Sequence, residues 1–182
     1  MRLVILDRDG VINEDSDAYI KSANEWRPIP GSLEAIARLH HAGYRVLVAS
    51  NQSGIARGLF TIDDLNAMHR KMALALSQVG GQVEGVFFCP HAPEDGCRCR
   101  KPFPGLIEDI GRRLQVDLTG VPSIGDALRD IQAARAVGAR PILVLTGKGQ
   151  WTLDTHRGDL AGVAVYPDLA AAAEGLVRGH RA

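Results

Sequence analysis

Six short apolar runs, separated by longer stretches with helical spacing, constrain this chain more than any other feature. The runs are Leu3 to Leu6, Arg45 to Ala49, Val83 to Phe88, Val121 to Ile124, Ile142 to Leu145 and Val163 to Tyr166. Most are apolar nearly throughout, as strands buried on both faces of a parallel sheet are. Parallel neighbours need crossover connections, and the intervening segments supply them. Leu65, Met68, Met72, Leu76 and Val79 recur at steps of three and four behind Thr61 and stop at Gly80-Gly81, which predicts a helix with Thr61 as N-cap. Its apolar stripe belongs to a core. Further helices are expected at Leu33 to His41 with Ser32 as N-cap, Pro104 to Leu114, Leu128 to Val137 closed by Gly138, and Leu169 to Val177. The alternation predicts an α/β fold, a Rossmann-like three-layer sandwich with a mainly parallel sheet.

A chain of 182 residues is expected to be one domain, 1–182, because one core suffices at that length and no repeat, low-complexity tract or linker divides it. Lys+Arg and Asp+Glu stand at 21 each, a balance that argues against nucleic acid or an anionic membrane as partner. The apolar start from Met1 to Leu6 stops at the carboxylate of Asp7, too short for a signal peptide, and no later stretch has the length of a membrane span. A soluble, cytoplasmic protein is expected. Two connections, Gly10 to Gly31 and Cys89 to Phe103, exceed ordinary loop length, and long ordered loops in compact domains commonly carry function.

Chemistry-bearing residues stand where the strands end. Asp7-Arg8-Asp9-Gly10 follows the first strand, and in an extended chain alternate residues share a side, so Asp7 and Asp9 are expected to face one way and Arg8 the other. Open α/β sheets bind ligands at that carboxyl edge, near the point where strand order reverses. Ser50-Asn51-Gln52-Ser53-Gly54 ends the second strand with a hydroxyl and free backbone N–H groups suited to phosphate oxygens. Arg100-Lys101-Pro102 sets two cations ahead of a helix, and Gly125-Asp126-Ala127-Leu128-Arg129-Asp130 sets another carboxylate after the fourth strand. Taken singly, each segment is also an ordinary turn, cap or surface pair.

A second cluster runs from Cys89-Pro90-His91 to Cys97-Arg98-Cys99. Three cysteines so close together do not form a disulfide framework. Three thiolates and an imidazole fill a tetrahedral zinc site and leave no open position, so Cys89, His91, Cys97 and Cys99 are expected to hold a structural Zn²⁺. Such a zinc-stabilised loop would fix Arg100 and Lys101, which follow its last ligand. His40, His41, His69, His156 and His180 have no comparable cluster and are read as surface or core residues.

The four segments that follow strands match, in order and strand context, the four motifs of the haloacid dehalogenase-like (HAD) phosphohydrolase superfamily, which the chain resembles over nearly its whole length. The Cys-Pro-His…Cys-x-Cys-Arg-Lys-Pro segment narrows the resemblance to the histidinol-phosphate and heptose-bisphosphate phosphatase branch. The run Asn51 to Gly58, the segment from Arg100 to Gly105, and the absence of a fused second enzyme make the chain most similar there to D-glycero-D-manno-heptose 1,7-bisphosphate 7-phosphatases.

The resemblance implies a Mg²⁺-dependent phosphoric monoester hydrolase acting on a small-molecule sugar phosphate, in bacterial lipopolysaccharide precursor synthesis. Asp7 would be the nucleophile of an aspartyl-phosphate intermediate and Asp9 the acid and base, with Ser50 and Lys101 stabilising the transferring phosphoryl group. Mg²⁺ would be held by Asp7, the backbone carbonyl of Asp9 and Asp126, while Asp130 would position Lys101 or the metal shell. Substrate contacts would come from Asp15, Ser16, Asp17, Asn51, Arg57 and Arg100. A monomer with no large cap domain is expected, its site covered only by the two long loops. The short stretch between His91 and Cys97 is shared with histidinol-phosphate phosphatases and keeps histidinol phosphate as an alternative substrate. A catalytically silent zinc-stabilised interaction module and a receiver domain are the readings of other classes. The intact motifs disfavour the first, and the N-terminal Asp-x-Asp with its cysteine loop disfavours the second.

Overall fold

The computed structural model describes residues 2–179; His180 lies outside the described residues. Six strands form one wholly parallel sheet: β1 (Arg2–Leu6), β2 (Tyr44–Asn51), β3 (Gly85–Cys89), β4 (Pro122–Gly125), β5 (Arg140–Val144) and β6 (Ala164–Tyr166). Their order is β3-β2-β1-β4-β5-β6, so the sequence of strands reverses between β1 and β4. Connections leave those two strands in opposite directions and open a crevice at their carboxyl ends, the ligand position of such sheets.

The helices are α1 (Ser32–His41), α2 (Ile62–Gln78), α3 (Gly105–Leu114), α4 (Leu128–Ala136), α5 (Gly149–Thr155) and α6 (Leu169–Arg178). Alternation along β1 shows how the layers assemble. Val4 and Leu6 enter a core with Ile36 and Leu39 of α1, Leu65 and Met68 of α2, and Leu169 of α6. Leu3 and Ile5, on the other face, meet Ile107 and Ile110 of α3 and Ala133 of α4. Fully burying one such side chain is worth roughly 1.5–3 kcal/mol, and a one-residue slip of β1 would exchange both faces at once. The strand ends that carry the site are therefore held in fixed register.

All six expected strands are present, displaced at their ends by one or two residues. Thr61 caps α2 through a reciprocal pair: its Oγ1 accepts from Asp64 N at 3.1 Å, and Asp64 Oδ2 accepts from Thr61 N at 2.8 Å. Ser32 does not cap α1. Gly31 takes the cap with φ of 83°, and the Ser32 hydroxyl instead donates to the buried carbonyl of Ile12 at 2.6 Å. Helix α5 was not expected, because Gly149-Gln150-Trp151 shows no apolar period and the Trp151 ring is largely exposed. The first long loop is stapled at its base, where Ile29 N donates to Ile12 O at 2.9 Å and Glu14 N to Arg27 O at 2.9 Å. Lys71 of α2 grips it from outside, donating to Ala23 O at 2.7 Å and Trp26 O at 2.9 Å.

Candidate active site

Asp7 extends the pairing of β1 by one residue, its N–H donating to Ile124 O at 2.8 Å, and Asp126 follows two residues after that carbonyl. Carboxylate oxygens of Asp7, Asp126 and Asp130 lie within 4.8 Å of one another. Lys101, arriving from the second long loop, threads its ammonium among them: Nζ is 3.1 Å from Asp7 Oδ1 and 2.7 Å from Asp130 Oδ1, and it donates to Ala49 O at 2.8 Å. Asp126 Oδ2 accepts from Lys148 N at 2.8 Å, whereas its buried Oδ1 has no hydrogen-bond partner.

The Lys101 ammonium and the nearby Arg129 guanidinium do not balance three buried carboxylates. Burial pushes Asp7 up to about 6 even though Lys101 pulls it back, with Asp130 adding to the rise. Burial, then the charges of Asp130 and Asp7, push Asp126 up to about 8. Burial also works against the charge of Asp130, but Lys101 and Arg129 outweigh it and hold that carboxyl below its usual range. The cluster is thus short of positive charge. Its oxygen-only donor set and the unpartnered Asp126 Oδ1 fit a hard divalent cation such as Mg²⁺.

Asp9 is tied differently. Arg8, wholly buried, leaves Asp7 for the α2 face, its Nη1 3.8 Å from Met68 Sδ and 3.4 Å from His69 Nε2, and since a buried guanidinium needs a counter-charge Asp9 follows it there. Arg8 Nη2 donates to Asp9 Oδ1 at 2.8 Å and to Oδ2 at 3.1 Å. Asn13 Nδ2 donates to Oδ1 and Gln52 Nε2 to Oδ2, both at 2.8 Å. Burial alone would raise the Asp9 pKa, but the Arg8 charge and these hydrogen bonds overcome it and hold the carboxyl low.

In the cysteine loop, Cys99 Sγ lies 3.1 Å from Cys89 Sγ and 3.3 Å from His91 Nδ1, and Cys97 Sγ lies 3.5 Å from Cys89 Sγ. All four ligand atoms fall within 4.8 Å of one another. A tetrahedral zinc with Zn–S of about 2.3 Å sets its sulfurs about 3.8 Å apart, so small outward movements suffice to admit the ion. The donor set, three thiols and an imidazole with no disulfide, fits zinc.

A sequence profile described as HAD-hydrolase-like matches residues 98–172. A Bordetella bronchiseptica protein named D-glycero-beta-D-manno-heptose-1,7-bisphosphate 7-phosphatase is 57% identical over 178 residues, covering 98% of this chain and 99% of its own length. The chain belongs to this heptose-bisphosphate phosphatase family. A Pseudomonas putida member is 51% identical over 177 residues, covering 97% of this chain and all of its own. The crystal structure of D,D-heptose 1,7-bisphosphate phosphatase from B. bronchiseptica, complexed with magnesium and phosphate, matches with a TM-score of 0.96 over 98% of this chain and 99% of that one, at 57% identity. The Rossmann-like architecture and the HAD resemblance read from the motifs are both borne out.

In this member of the heptose-bisphosphate phosphatase family a cleft of about 240 Å³ opens over the cluster. Asp7, Asp9, Asp15, Ser16, Asp17, Asn51 and Arg100 line it. Lys101 and Asp126 are buried beside these residues without being part of the lining. Ser50 is also buried, its hydroxyl accepting from Gln52 Nε2 at 2.8 Å, so Gln52 and Ser53 present the polar atoms of that turn to the cleft. Arg57 is not among the lining residues and pairs instead with Glu94 of the cysteine loop at 3.6 Å.

Arg129 and Lys148 line the cleft and had no role assigned from sequence. Arg129 sits inside the fourth motif, one residue before Asp130. Lys148 follows β5 in Thr146-Gly147-Lys148-Gly149, and the rule that ligands gather at strand carboxyl ends points to it as well. The cleft is therefore walled not by the two long loops alone but also by the connections after β2, β4 and β5. The connection after β5 is fastened to those after β1 and β4: Thr146 Oγ1 donates to Gly10 O at 2.6 Å and Thr152 Oγ1 to Asp126 O at 2.9 Å.

Proposed function

We propose that this phosphoric monoester hydrolase removes the 7-phosphate of D-glycero-β-D-manno-heptose 1,7-bisphosphate through a phosphorylated Asp7, serving synthesis of a bacterial lipopolysaccharide precursor. The observation that carries the reading is the meeting of Asp7, Asp126 and Lys101 at the strand-order reversal, in a fold whose relatives are named for that substrate. Histidinol phosphate remains the rival substrate to be measured beside it.

The chemistry follows from the charges. A phosphate monoester dianion repels an anionic nucleophile, so the site must first neutralise its own carboxylates. Asp7, Asp126 and the backbone carbonyl of Asp9 would hold Mg²⁺, which when bound supplies the positive charge that the cluster lacks. Lys101 keeps Asp7 oriented toward the cleft and, with its N–H groups already on Asp7, Asp130 and Ala49 O, would stabilise the phosphoryl oxygens through its charge, a preorganised contribution whose loss costs on the order of a hundredfold in rate. Asp130 positions that ammonium, and Ser50 supports the turn through Gln52. Asp7 attacks phosphorus as Asp9, once a proton has been loaded on it against the pull of Arg8, gives that proton to the leaving sugar oxygen; Asp9 then takes a proton from the water that cleaves the acyl phosphate, returning Asp7. Gln52 and Asn13 would aim the Asp9 carboxyl.

Asp15, Ser16, Asp17, Asn51 and Arg100 would meet the substrate, with Arg57 acting from outside the lining. Zn²⁺ on Cys89, His91, Cys97 and Cys99 would be structural, fixing the chain that leads into Arg100 and Lys101. We place this activity in the cytoplasm, in a monomeric single-domain protein spanning 1–182. Among the described residues no helix is long and apolar enough to cross a membrane. Phosphate release from heptose 1,7-bisphosphate and from histidinol phosphate, each with and without Mg²⁺, tests the reading. Preferred turnover of histidinol phosphate, or turnover indifferent to Mg²⁺, would reject it.

A further inference from the structure

The cations around the cleft differ in what already holds them. Arg8 is spent on Asp9, and Lys101 on Asp7 and Asp130, both deep in the protein. Arg129 stands among carboxylates whose charges, Asp130 first and then Asp7 and Asp126, raise its pKa against the effect of burial. Lys148 is placed otherwise. Its backbone N–H is committed to Asp126 Oδ2 at 2.8 Å, which fixes its Cα at the rim of the catalytic cluster. Its ammonium reaches across to the first loop, 3.2 Å from Asp17 Oδ1 and 3.7 Å from Asp15 Oδ2.

Those ion pairs are easily exchanged. The Asp17 side chain is 96% exposed and that of Lys148 43%, and pairs in such settings contribute about 0–1 kcal/mol. A phosphate dianion carries twice the charge of a carboxylate and more acceptor oxygens, so it competes well for the same ammonium. Lys148 also starts from a rigid base. Gly147 packs so closely on Gly10 and Asp126 that a Cβ there would collide with both, and Thr146 and Thr152 bond the same two neighbours. An anchored cation loses little freedom when it binds. Of the two arginines expected at the substrate, Arg57 lies outside the lining, and Arg100 lines the cleft with Lys148, its Nη1 donating to His91 O at 3.4 Å.

We propose that Lys148 is a specificity-determining residue that binds the phosphate group the enzyme leaves in place, an inference that rests on the bisphosphate reading above. On binding, that phosphate replaces Asp15 and Asp17 at the ammonium, and the two released carboxylates become acceptors for sugar hydroxyls. Lys148 thereby couples recognition of the distal anion to opening of the first loop.

The test compares kcat/KM for heptose 1,7-bisphosphate with that for p-nitrophenyl phosphate, a monoester with no second anion, in the wild type, Lys148→Met and Lys148→Arg. Lys148→Met should lower the ratio of the two values tenfold or more, mainly by raising KM for the bisphosphate, and Lys148→Arg should keep most of it. A ratio unchanged in Lys148→Met, whether both values persist or fall together, overturns the inference alone. A wild-type enzyme with no preference for the bisphosphate overturns the substrate reading and this inference together.

Discussion

Asn51 and Lys101, fifty residues apart, clasp each other through two hydrogen bonds: Asn51 Nδ2 donates to Lys101 O and Asn51 Oδ1 accepts from Lys101 N, each at 3.0 Å. The end of β2 thus holds the backbone of the residue whose ammonium must lie between Asp7 and Asp130. Asn51→Ala would leave both Lys101 backbone groups without their partner, at about 1–3 kcal/mol, and free the lysine to drift. Steady-state kinetics should show kcat down tenfold or more, with a smaller change in KM.

Asp7→Asn keeps the shape of the side chain and removes the anionic oxygen that attacks phosphorus. Turnover should drop by more than about a thousandfold while thermal unfolding remains cooperative. A denaturing quench during turnover should trap a phosphorylated wild-type chain and none in the variant.

Gly10 has φ of 82°, and a Cβ on it would strike the Asp126 carboxylate. Gly10→Ala therefore strains the turn and displaces a proposed Mg²⁺ ligand together. We expect a stability loss on the order of 2 kcal/mol and a Mg²⁺ requirement raised at least tenfold, read from denaturant melts and metal titration of activity.

Cys97→Ser deletes one thiolate from the cysteine loop. Zinc content should fall well below one ion per chain, and proteases should cut the loop between 89 and 103. Activity should fall about tenfold without recovery on added Mg²⁺, because the loss is one of placement at Arg100 and Lys101.

His69 carries a pH dependence of stability. Burial, then the Arg8 charge, push its pKa from 6.5 down to about 4. Between those values the unfolded chain binds a proton that the folded chain does not, so stability should fall as pH drops through that window. Relative to His69→Gln, the wild type should lose on the order of 1 kcal/mol more between pH 7 and pH 5, with the partial exposure of the ring screening the effect. Urea midpoints at the two pH values measure it.

Much of the site was legible because local patterns carried it. Asp7, Asp9 and Asp126 stand directly after strands whose apolar composition is plain, and Cys89, His91, Cys97 and Cys99 lie within one loop. Residues that act through a distant partner gave weaker signals. Gln52 is an unremarkable turn residue until its amide is seen on Asp9, and Lys148 stands 22 residues beyond the carboxylate its backbone holds. Arg57 has a type that suits a phosphate, and only the fold shows that it stands outside the lining beside Glu94.

Sequence by itself determined the α/β alternation, the strands whose ends bear carboxylates, and the composition of the zinc loop, since each depends on periodicity or on spacing within a few residues. Tertiary structure alone decided that Arg8 pairs with Asp9, that Gln52 and Ser53 rather than Ser50 face the cleft, and that the connection after β5 joins its walls. The physical reason is that a buried charge or hydroxyl takes whichever partner the packed layers bring within about 3 Å, and that partner commonly lies tens of residues away along the chain.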